Sequence, residues 1–327
     1  MTSAKLLQLA LAVPLGKMSN PPYVIRNFRP EDFASYVQLN IEAERLDPTG
    51  RCTSAQAVSE ALGRPNYVSG EDLFVAEAAG QVVGYIDVRP ELRIGRAVLD
   101  CLVHPEHRRK GLATELFHRA SRRARELGAR VVHVHVAEDN VAARGLLSKL
   151  GFRFVRRFLE LRLDLSQAHL SDVEQGDLAS RHLQRGEEDE LAQIQNRFFA
   201  GTWGYSPNTV EEIVYRLNMT GSSPEDVILV CEGDKPIGYC WTAVEPGENA
   251  AMGTSKRRIY MLGVDPDYRG RGIGKRALLA GLAHLGSKGM EVAELVVDSE
   301  NAAACALYES GGFKISSTSA WYEKALD

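Results

Sequence analysis

The segment Arg269–Gly274, with the letters RGRGIG, is suited to holding an anion. Its glycines let successive backbone N–H groups point at one ligand, because no Cβ atom stands in the way. The segment follows an apolar run typical of a strand and opens a helical pattern, so the positive end of a helix adds to the attraction. Arg269, Arg271 and Lys275 bring cationic side chains to the same turn. The pattern predicts a site for a phosphorylated cofactor, and it suits a diphosphate better than a carboxylate.

Two better-known phosphate loops do not match this segment. The Walker pattern requires GxxxxGK followed by Ser or Thr, and no such run can be written across Gly270–Arg276. The dinucleotide fingerprint GxGxxG also fails, because the segment reads GxGxG and the preceding strands have the short turns of antiparallel pairs. A glycine-rich turn with solvated arginines is the remaining alternative, and recurrence of the same spacing in the chain argues against it.

The chain contains an internal repeat that includes this segment. Val103–Ala113 recurs as Val264–Gly274, with Val, Pro, Arg and Gly at matching places. The same offset aligns three further pairs, which are Asn140 with Asn301, Ala143 with Ala304, and Gly151 with Gly312. Repetition over this length predicts two copies of one fold.

The length of 327 residues also favours two domains, because a single core seldom grows so large. A polar stretch without apolar periodicity separates the copies. We predict a tail or alternative start at residues 1–20, an N-terminal domain at 21–168, a linker at 169–180 and a C-terminal domain at 181–327. The duplication favours a monomer.

The composition excludes several classes of protein. The net charge of -4 disfavours nucleic acid, and no apolar stretch approaches the roughly 18 residues of a membrane-spanning helix. The five cysteines form no CxxC pair, and His133 and His135 alternate on one strand without a third ligand, so we expect no metal. Met1–Lys17 resembles a secretory signal only weakly, and Met18 offers a second start. We expect a cytoplasmic protein.

Both copies read as α+β, with short strands followed by helices. In the second copy we predict strands at Val227–Cys231, Ile237–Val244, Arg258–Val264 and Glu294–Val297, helices from Gly272 to about Gly286 and from Asn301 to Ser310, and two short strands ending at Ala325. In the first copy we predict strands at Leu73–Glu77, Val82–Val88, Ala97–Val103 and Val131–Val136, and a helix at Leu112–Leu127.

These motifs resemble those of the GNAT acyltransferases, whose signature Gln/Arg-x-x-Gly-x-Gly/Ala follows a strand ending in Val-x-Pro. Arg108–Ala113 and Arg269–Gly274 both match it, and a later family motif appears as Asn301, Ala304, Tyr308 and Gly312-Phe313. The resemblance implies two tandem GNAT domains, each with a mixed, mainly antiparallel sheet flanked by helices. The arrangement, with the better-preserved motif in the second copy, is similar to that of the mycothiol synthases, although the strand before the loop, Arg258–Leu262, lacks the carboxylate often found there.

The resemblance further implies acetyl-CoA as the co-substrate, with its pyrophosphate on the loop and its pantetheine arm along the strand backbone. The implied residues of the second copy are Leu262, Gly263, Val264, Arg269, Gly270, Arg271, Gly272, Ile273, Gly274 and Asn301. Their counterparts in the first copy are Val103, Arg108, Arg109, Gly111 and Ala113.

Tyr308 stands where the family usually places the acid that protonates the departing thiolate. The first copy has Leu147 at that place, which predicts an inactive first site. For the base the sequence leaves Glu245, Asp298 or a chain of waters open. An acceptor pocket is predicted around four aromatic residues, Trp203, Tyr205, Trp241 and Tyr260, with core packing as the alternative reading.

The sequence therefore predicts an N-acyltransferase that acetylates a primary amine of a small molecule. Two alternatives remain open: a CoA-binding sensor or scaffold without turnover, and an enzyme that acetylates protein or peptide amines.

Overall fold

The structure, a computed structural model, describes residues 23–47, 54–167, 178–243 and 256–326. In the N-terminal half the strands are β1 (Val24–Asn27), β2 (Leu73–Ala78), β3 (Gln81–Glu91), β4 (Arg96–Val103), β5 (Val131–Ala137) and β6 (Arg153–Asp164). The helices of this half are α1 (Phe33–Leu46), α2 (Ala55–Leu62), α3 (Ser69–Asp72), α4 (Leu112–Glu126) and α5 (Val141–Lys149).

The C-terminal half repeats this order of elements. Its strands are β7 (Ala179–His182), β8 (Val227–Glu232), β9 (Lys235–Ala243), β10 (Lys256–Val264), β11 (Val292–Asp298) and β12 (Lys314–Ala325). Its helices are α6 (Glu188–Phe198), α7 (Val210–Leu217), α8 (Ile273–Ser287) and α9 (Ala302–Ser310). The predicted tail and most of the predicted linker lie outside the described residues, and the first two residues of β7, Ala179 and Ser180, lie within the predicted linker.

All these strands lie in one mixed sheet, in the order β1-β2-β3-β4-β5-β12-β6-β11-β10-β9-β8-β7. The last strand of each half is exchanged: β12 pairs with β5 of the N-terminal half, and β6 pairs with β11 of the C-terminal half. β12 and β6 also pair with each other at the centre of the sheet. The two copies are thus joined through the sheet itself.

The helices cover the sheet on both faces. On one face α4 packs on the N-terminal strands through residues such as Leu116 and Ala120, and α8 packs on the C-terminal strands through Leu278 and Leu282. On the other face α1 and α2 cover β2 and β3, while α6 and α7 cover β8 and β9. Burial of these apolar stripes is the main stabilising contribution.

The predicted α+β fold of two tandem copies is confirmed, with one difference at the carboxyl end. The predicted pair of short strands is a single long strand, β12, whose register shifts between Ile315 and Ser317 and again between Trp321 and Tyr322. Local sequence breaks look like strand ends, yet the bulges let one strand follow the twisted sheet. No helix in the described ranges is long and apolar enough to cross a membrane.

Candidate active site

The strands β10 and β11 separate to form an opening in the sheet. They pair in parallel only at their beginnings, where Lys256–Arg258 faces Val292–Glu294, and diverge after that. β10 stays paired with β9 from Arg258 to Val264, while β11 stays paired with β6. The result is a wedge-shaped opening, closed at Arg258 and Glu294 and open toward the start of α8.

The backbone of β10 presents polar groups to this opening. The Asp265 N–H donates to the Ile237 carbonyl on the β9 side, at 2.9 Å. Because backbone groups alternate in direction along a strand, Leu262 and Val264 direct theirs to the opposite side. A bulge displaces Tyr260, since Ile259 and Met261 face consecutive residues of β9. Unpaired strand groups can therefore bind an extended ligand in the opening.

The predicted loop lies at the open end of the wedge. Gly270 and Gly272 have φ of 76° and 80°, in the left-handed region that favours glycine, and Gly272 is the N-cap of α8. A Cβ atom on either glycine would meet no described atom within 4 Å, so the loop surface is open to a ligand. The first N–H groups of α8, at Ile273 and Gly274, have no partner within the helix. This geometry fits a phosphate group.

The side chains around the loop divide into anchored and exposed groups. Arg269 donates from Nη2 to the Phe198 carbonyl at 2.6 Å, which joins the loop to the end of α6. Asp265 reinforces the same joint, because Arg197 donates to it at 3.0 Å and holds the pKa of that carboxyl below its usual range. Arg271 lies over the ring of Tyr268 and is exposed. Its guanidinium therefore lies at the loop surface.

Tyr308 lies on α9 beside β9 and is only 7% exposed. Its ring meets Phe313 edge-on, with centroids 5.8 Å apart, and its hydroxyl has no hydrogen bond to a described residue. Burial, with a smaller effect of the neighbouring Cys240 and Cys305 thiols, raises its pKa well above the ordinary value. Cys240 is the β9 partner of Leu262, so Tyr308 lies beside the opening and keeps its proton at neutral pH.

Asn301, predicted to bind the cofactor, acts in the structure as the N-cap of α9. Its side chain accepts from the Ala304 N–H at 3.2 Å, and Asn140 caps α5 in the same way. The repeated Asn-x-x-Ala spacing is therefore a capping motif in both halves. It fixes where α9 begins, and with it the position of Tyr308.

The sheet face under α6 and α7 carries the polar groups next to the opening. Ala293, Leu295 and Val297 of β11 pack against the opposite core, so the alternate residues Glu294, Val296 and Asp298 point to this face. Val296 is 42% exposed, which marks an uncovered floor. Each of these residues faces one on β6: Glu294 faces Arg162, Val296 faces Glu160, and Asp298 faces Phe158.

Trp203 lies at the junction of the two halves rather than in the wedge. Its ring lies 5.5 Å from that of His133, 5.8 Å from that of Trp321 and 5.9 Å from that of Phe158. Its loop is fixed by Arg96 of β4, whose Nη2 donates to the Gly204 carbonyl at 2.7 Å. The N-terminal half therefore positions the loop that borders this face.

The other three predicted aromatics have different surroundings. Tyr205 donates to Asn196 at 2.9 Å and stacks on Phe199, so it stabilises the loop. Trp241 is fully buried between β9 and α6, which is core packing. Tyr260 packs edge-on against Trp241 and is 36% exposed, beside the opening. Only Tyr260 of the three contributes an accessible ring next to β11.

The two histidines predicted to alternate on one strand, His133 and His135 of β5, contact neighbouring side chains. His133 is bonded to Glu323 at 3.0 Å, and burial lowers its pKa despite that partner. His135 stacks on Trp321, with centroids 5.0 Å apart.

Of the two base candidates, Asp298 accepts from the Glu300 N–H at 2.9 Å and so closes the turn before α9. The other base candidate, Glu245, lies outside the described residues.

The first copy has the same wedge with altered details. β4 and β5 pair only from Arg96 to Val98 and then separate. Gly111 has φ of 82°, but Arg109 must also take a positive φ, 60°, where the second copy has a glycine. Arg108 donates to the Val103 carbonyl at 3.0 Å, so this strand group is already bonded. Leu147 is packed in the core, at the place of Tyr308, and Ala113 follows the loop half-buried.

Sequence reasoning missed the contribution of the exchanged strands. Phe158 and Glu160 belong to the first copy, yet they face Asp298 and Val296 of β11, and Arg156 lies 3.8 Å from the Asp298 carboxylate. Trp321 belongs to the second copy, yet it packs on His135 of the first. No local signal marks these strands as exchanged, because strand pairing across halves depends on the whole fold.

Known proteins share these features. Residues 42–152 and 189–313 match the GNAT acetyltransferase family. The mycothiol acetyltransferase of Amycolatopsis mediterranei is 31% identical over 280 residues, which cover 81% of this chain and 91% of that protein. That of Actinosynnema mirum is 30% identical over 289 residues, which cover 87% and 93%.

Solved structures agree with the fold. A GCN5-related N-acetyltransferase from Sphaerobacter thermophilus has a TM-score of 0.72 at 22% identity and covers 93% of this chain and 96% of its own. A tandem GNAT protein from the clavulanic acid biosynthesis pathway has a TM-score of 0.69 at 15% identity and covers 94% and 99%. The chain therefore belongs to the GNAT family and is a tandem-domain acetyltransferase.

Proposed function

We propose that the C-terminal half transfers an acetyl group from acetyl-CoA to a primary amine of a small molecule, by direct attack on the thioester. The observation that carries this proposal is the wedge between β10 and β11, which has an anion-binding loop at its open end and Tyr308 at its side. Acetyl transfer to an amine is supported by the family and by the relatives named mycothiol acetyltransferase.

The residues present fit acetyl-CoA. The exposed backbone of Gly270–Gly274 and the side chain of Arg271 would hold the pyrophosphate, and the backbone groups of Leu262 and Val264 would bind the pantetheine arm. The open space above Gly270 and Gly272 is what such a ligand requires. When bound, acetyl-CoA supplies an activated acetyl group on a thiol leaving group.

The chain supplies groups for both charges that develop during transfer. A backbone N–H of β10 near the bulge at Tyr260 stabilises negative charge on the carbonyl oxygen. Tyr308, protonated at neutral pH, gives its proton to the leaving sulfur. Its hydroxyl has no described partner that competes for this proton.

The small size of the acceptor is inferred from the borders of the exposed face at Val296. Tyr260 borders it on β10, the Trp203 loop borders it above, and β6 of the other half closes the remaining side. These borders leave room for a compact molecule.

We propose that the N-terminal half is non-catalytic, because it has Leu147 in place of a proton donor and Arg109 in a strained conformation.

We further propose the domain limits of 21–168 and 181–327, with the reciprocal exchange of β6 and β12 between them, and a cytoplasmic monomer. The four described cysteines are free thiols, which suits a reducing compartment. The exchanged strands β6 and β12 pair the two copies edge to edge within one chain, so a second chain is not needed for this pairing.

Thiol release from acetyl-CoA, measured against a panel of amines, amino sugars and cysteinyl conjugates, tests the proposal. Tyr308→Phe should lower amine-dependent release about 10² to 10³-fold, because the thiolate must leave without a proton. The dissociation constant of acetyl-CoA should stay unchanged, since the ring remains.

Tyr322→Phe is the matched control, because Tyr322 is also buried but lies in the N-terminal core. It should retain wild-type turnover. Acetyl-CoA binding without turnover on any acceptor would contradict the proposal and favour a sensor or scaffold.

A further inference from the structure

We propose that Glu294 takes the proton from the acceptor amine in the C-terminal site. The inference rests on the proposed function and adds the residue that completes it. β10 itself carries no carboxylate, since its residues read KRRIYMLGV. The carboxylates next to the opening come instead from β11 and β6.

Glu294 lies at the closed end of the wedge. It is the last residue of β11 to pair with β10, where it faces Arg258. A pantetheine arm that begins at the loop and follows β10 inward directs its thioester toward this end. The six residues from Val264 to Ile259 span five strand rises, or about 17 Å. The reacting carbon is thus carried to the bulge at Tyr260, across the opening from Glu294.

The side chain of Glu294 points to the face where the acceptor would lie. Its neighbours Ala293 and Leu295 are buried in the opposite core. Val296, next on the same face, is the exposed floor. An amine resting on Val296 therefore has Glu294 at one end and the opening beside it.

Three other carboxylates lie on this face of β11 and β6: Asp298, Glu160 and Asp164, the last facing Val292 beyond the closed end of the wedge. Asp298 accepts from the Glu300 N–H at 2.9 Å, and it lies four residues, about 13 Å, from Glu294. Glu160 accepts from the Ser317 hydroxyl at 2.6 Å and lies one strand farther from β10. Glu294 is the carboxylate nearest the splitting point of β10 and β11.

The charged groups that face this patch come from every neighbouring element. Arg258 stands on β10, Arg162 and Glu160 stand on β6, and Arg216 reaches over Tyr260 from α7. Arg162 Nη1 lies 3.7 Å from Glu294 Oε1.

The proton balance of the step is complete. The ammonium gives one proton through a water to Glu294, and the free nitrogen lone pair forms the C–N bond while the C–S bond breaks. The nitrogen loses its second proton as the amide forms. One proton ends on the sulfur by way of Tyr308, and the other passes from Glu294 to solvent. The products are an N-acetyl amine, free CoA and one proton.

The pH dependence of turnover in Glu294→Gln tests the assignment. At neutral pH we expect kcat/KM for an alkyl amine to fall about 10²-fold, since most of the amine is protonated and lacks its base. The loss should shrink as pH rises toward the pKa of the amine, where the free amine forms without help. A purely structural loss would not change with pH in this way.

Glu160→Gln and Asp298→Asn are the control variants, and neither should show a loss that recovers at high pH. The acetyl-CoA dissociation constant should match wild type in Glu294→Gln. Wild-type protein without amine-dependent turnover would overturn the proposed function and this assignment with it. Wild-type turnover that Glu294→Gln leaves unchanged, or reduces equally at every pH, would overturn only the role of Glu294.

Discussion

At the scale of single residues, the buried carboxylate of Asp226 joins three elements of the C-terminal half. It precedes β8, accepts from His284 of α8 at 3.0 Å, and forms an ion pair with Arg257 of β10. Burial alone would raise its pKa, but the hydrogen bond to His284 and the charge of Arg257 lower it below the usual value. In the first copy Asp72 accepts from Arg123 of α4 at 2.9 Å, so a buried aspartate before the second strand also joins neighbouring elements there, with different partners.

Asp226→Asn should destabilise the fold by roughly 3 kcal/mol at neutral pH, because Arg257 loses a buried partner. The folded pKa of Asp226 is depressed, so its stabilisation is present above the unfolded value near 3.8 and is lost as pH falls through the folded value. Urea unfolding of both proteins at several pH values measures the difference. It should be constant above about pH 5 and shrink below pH 4.

Asp267→Asn is the control for that series, since Asp267 is an exposed partner of Arg197. It should change the free energy of unfolding by less than about 0.5 kcal/mol. A difference for Asp226→Asn that persists unchanged in acid would disprove the charge argument.

At the scale of elements, the N-cap glycine of α8, Gly272, and a glycine inside the helix, Gly286, require opposite backbone conformations. Gly272 caps its start with φ of 80°, while Gly286 lies in its last turn, and neither would bring a Cβ atom within 4 Å of a described atom. Space therefore does not distinguish them, but backbone conformation does. An L-residue is strained at Gly272 and favoured at Gly286.

Gly272→Ala should lower the free energy of unfolding by about 1 to 2 kcal/mol and weaken acetyl-CoA binding. Gly286→Ala should raise it by up to about 1 kcal/mol and leave binding unchanged. Thermal unfolding and equilibrium titration with acetyl-CoA check both. Equal effects of the two substitutions would show that the left-handed turn is not required.

The elements that could be predicted from the sequence are those that depend on local signals. The loop before α8, the caps at Asn140 and Asn301, and the apolar stripes of α4 and α8 all follow from residues close together in the chain. The exchange of β6 and β12 could not be predicted, because either copy offers the same pairing face to either strand. For that reason Glu294 and its β6 neighbours escaped the prediction, and the contacts of Trp203 with both halves could not be foreseen.

At the scale of the whole molecule, the exchange makes the two halves depend on each other. Removal of residues 314–327 takes β12 from between β5 and β6, so the main structural loss should fall in the N-terminal half. Hydrogen exchange should show lost protection at Val131–Ala137, far away in the sequence. The intact chain should unfold in one calorimetric transition.

Removal of residues 1–20 is the matched control, and it should leave the transition and the exchange pattern of β5 unaltered. Two separate transitions in the intact chain, or a truncated chain with a fully protected β5, would contradict the mutual dependence of the halves.

The exchanged strands also bear on the history of the gene. After an ordinary duplication, a copy that has lost its reactive residue is free to decay and be deleted. Here the copy with Leu147 provides the strand that flanks β11 and the arginine that fixes the Trp203 loop. Deletion of the N-terminal copy would remove residues that border the proposed site of the C-terminal copy. On the proposed function, selection on the C-terminal site therefore preserves the framework of the N-terminal copy. The loop and helix of the N-terminal copy are free to diverge.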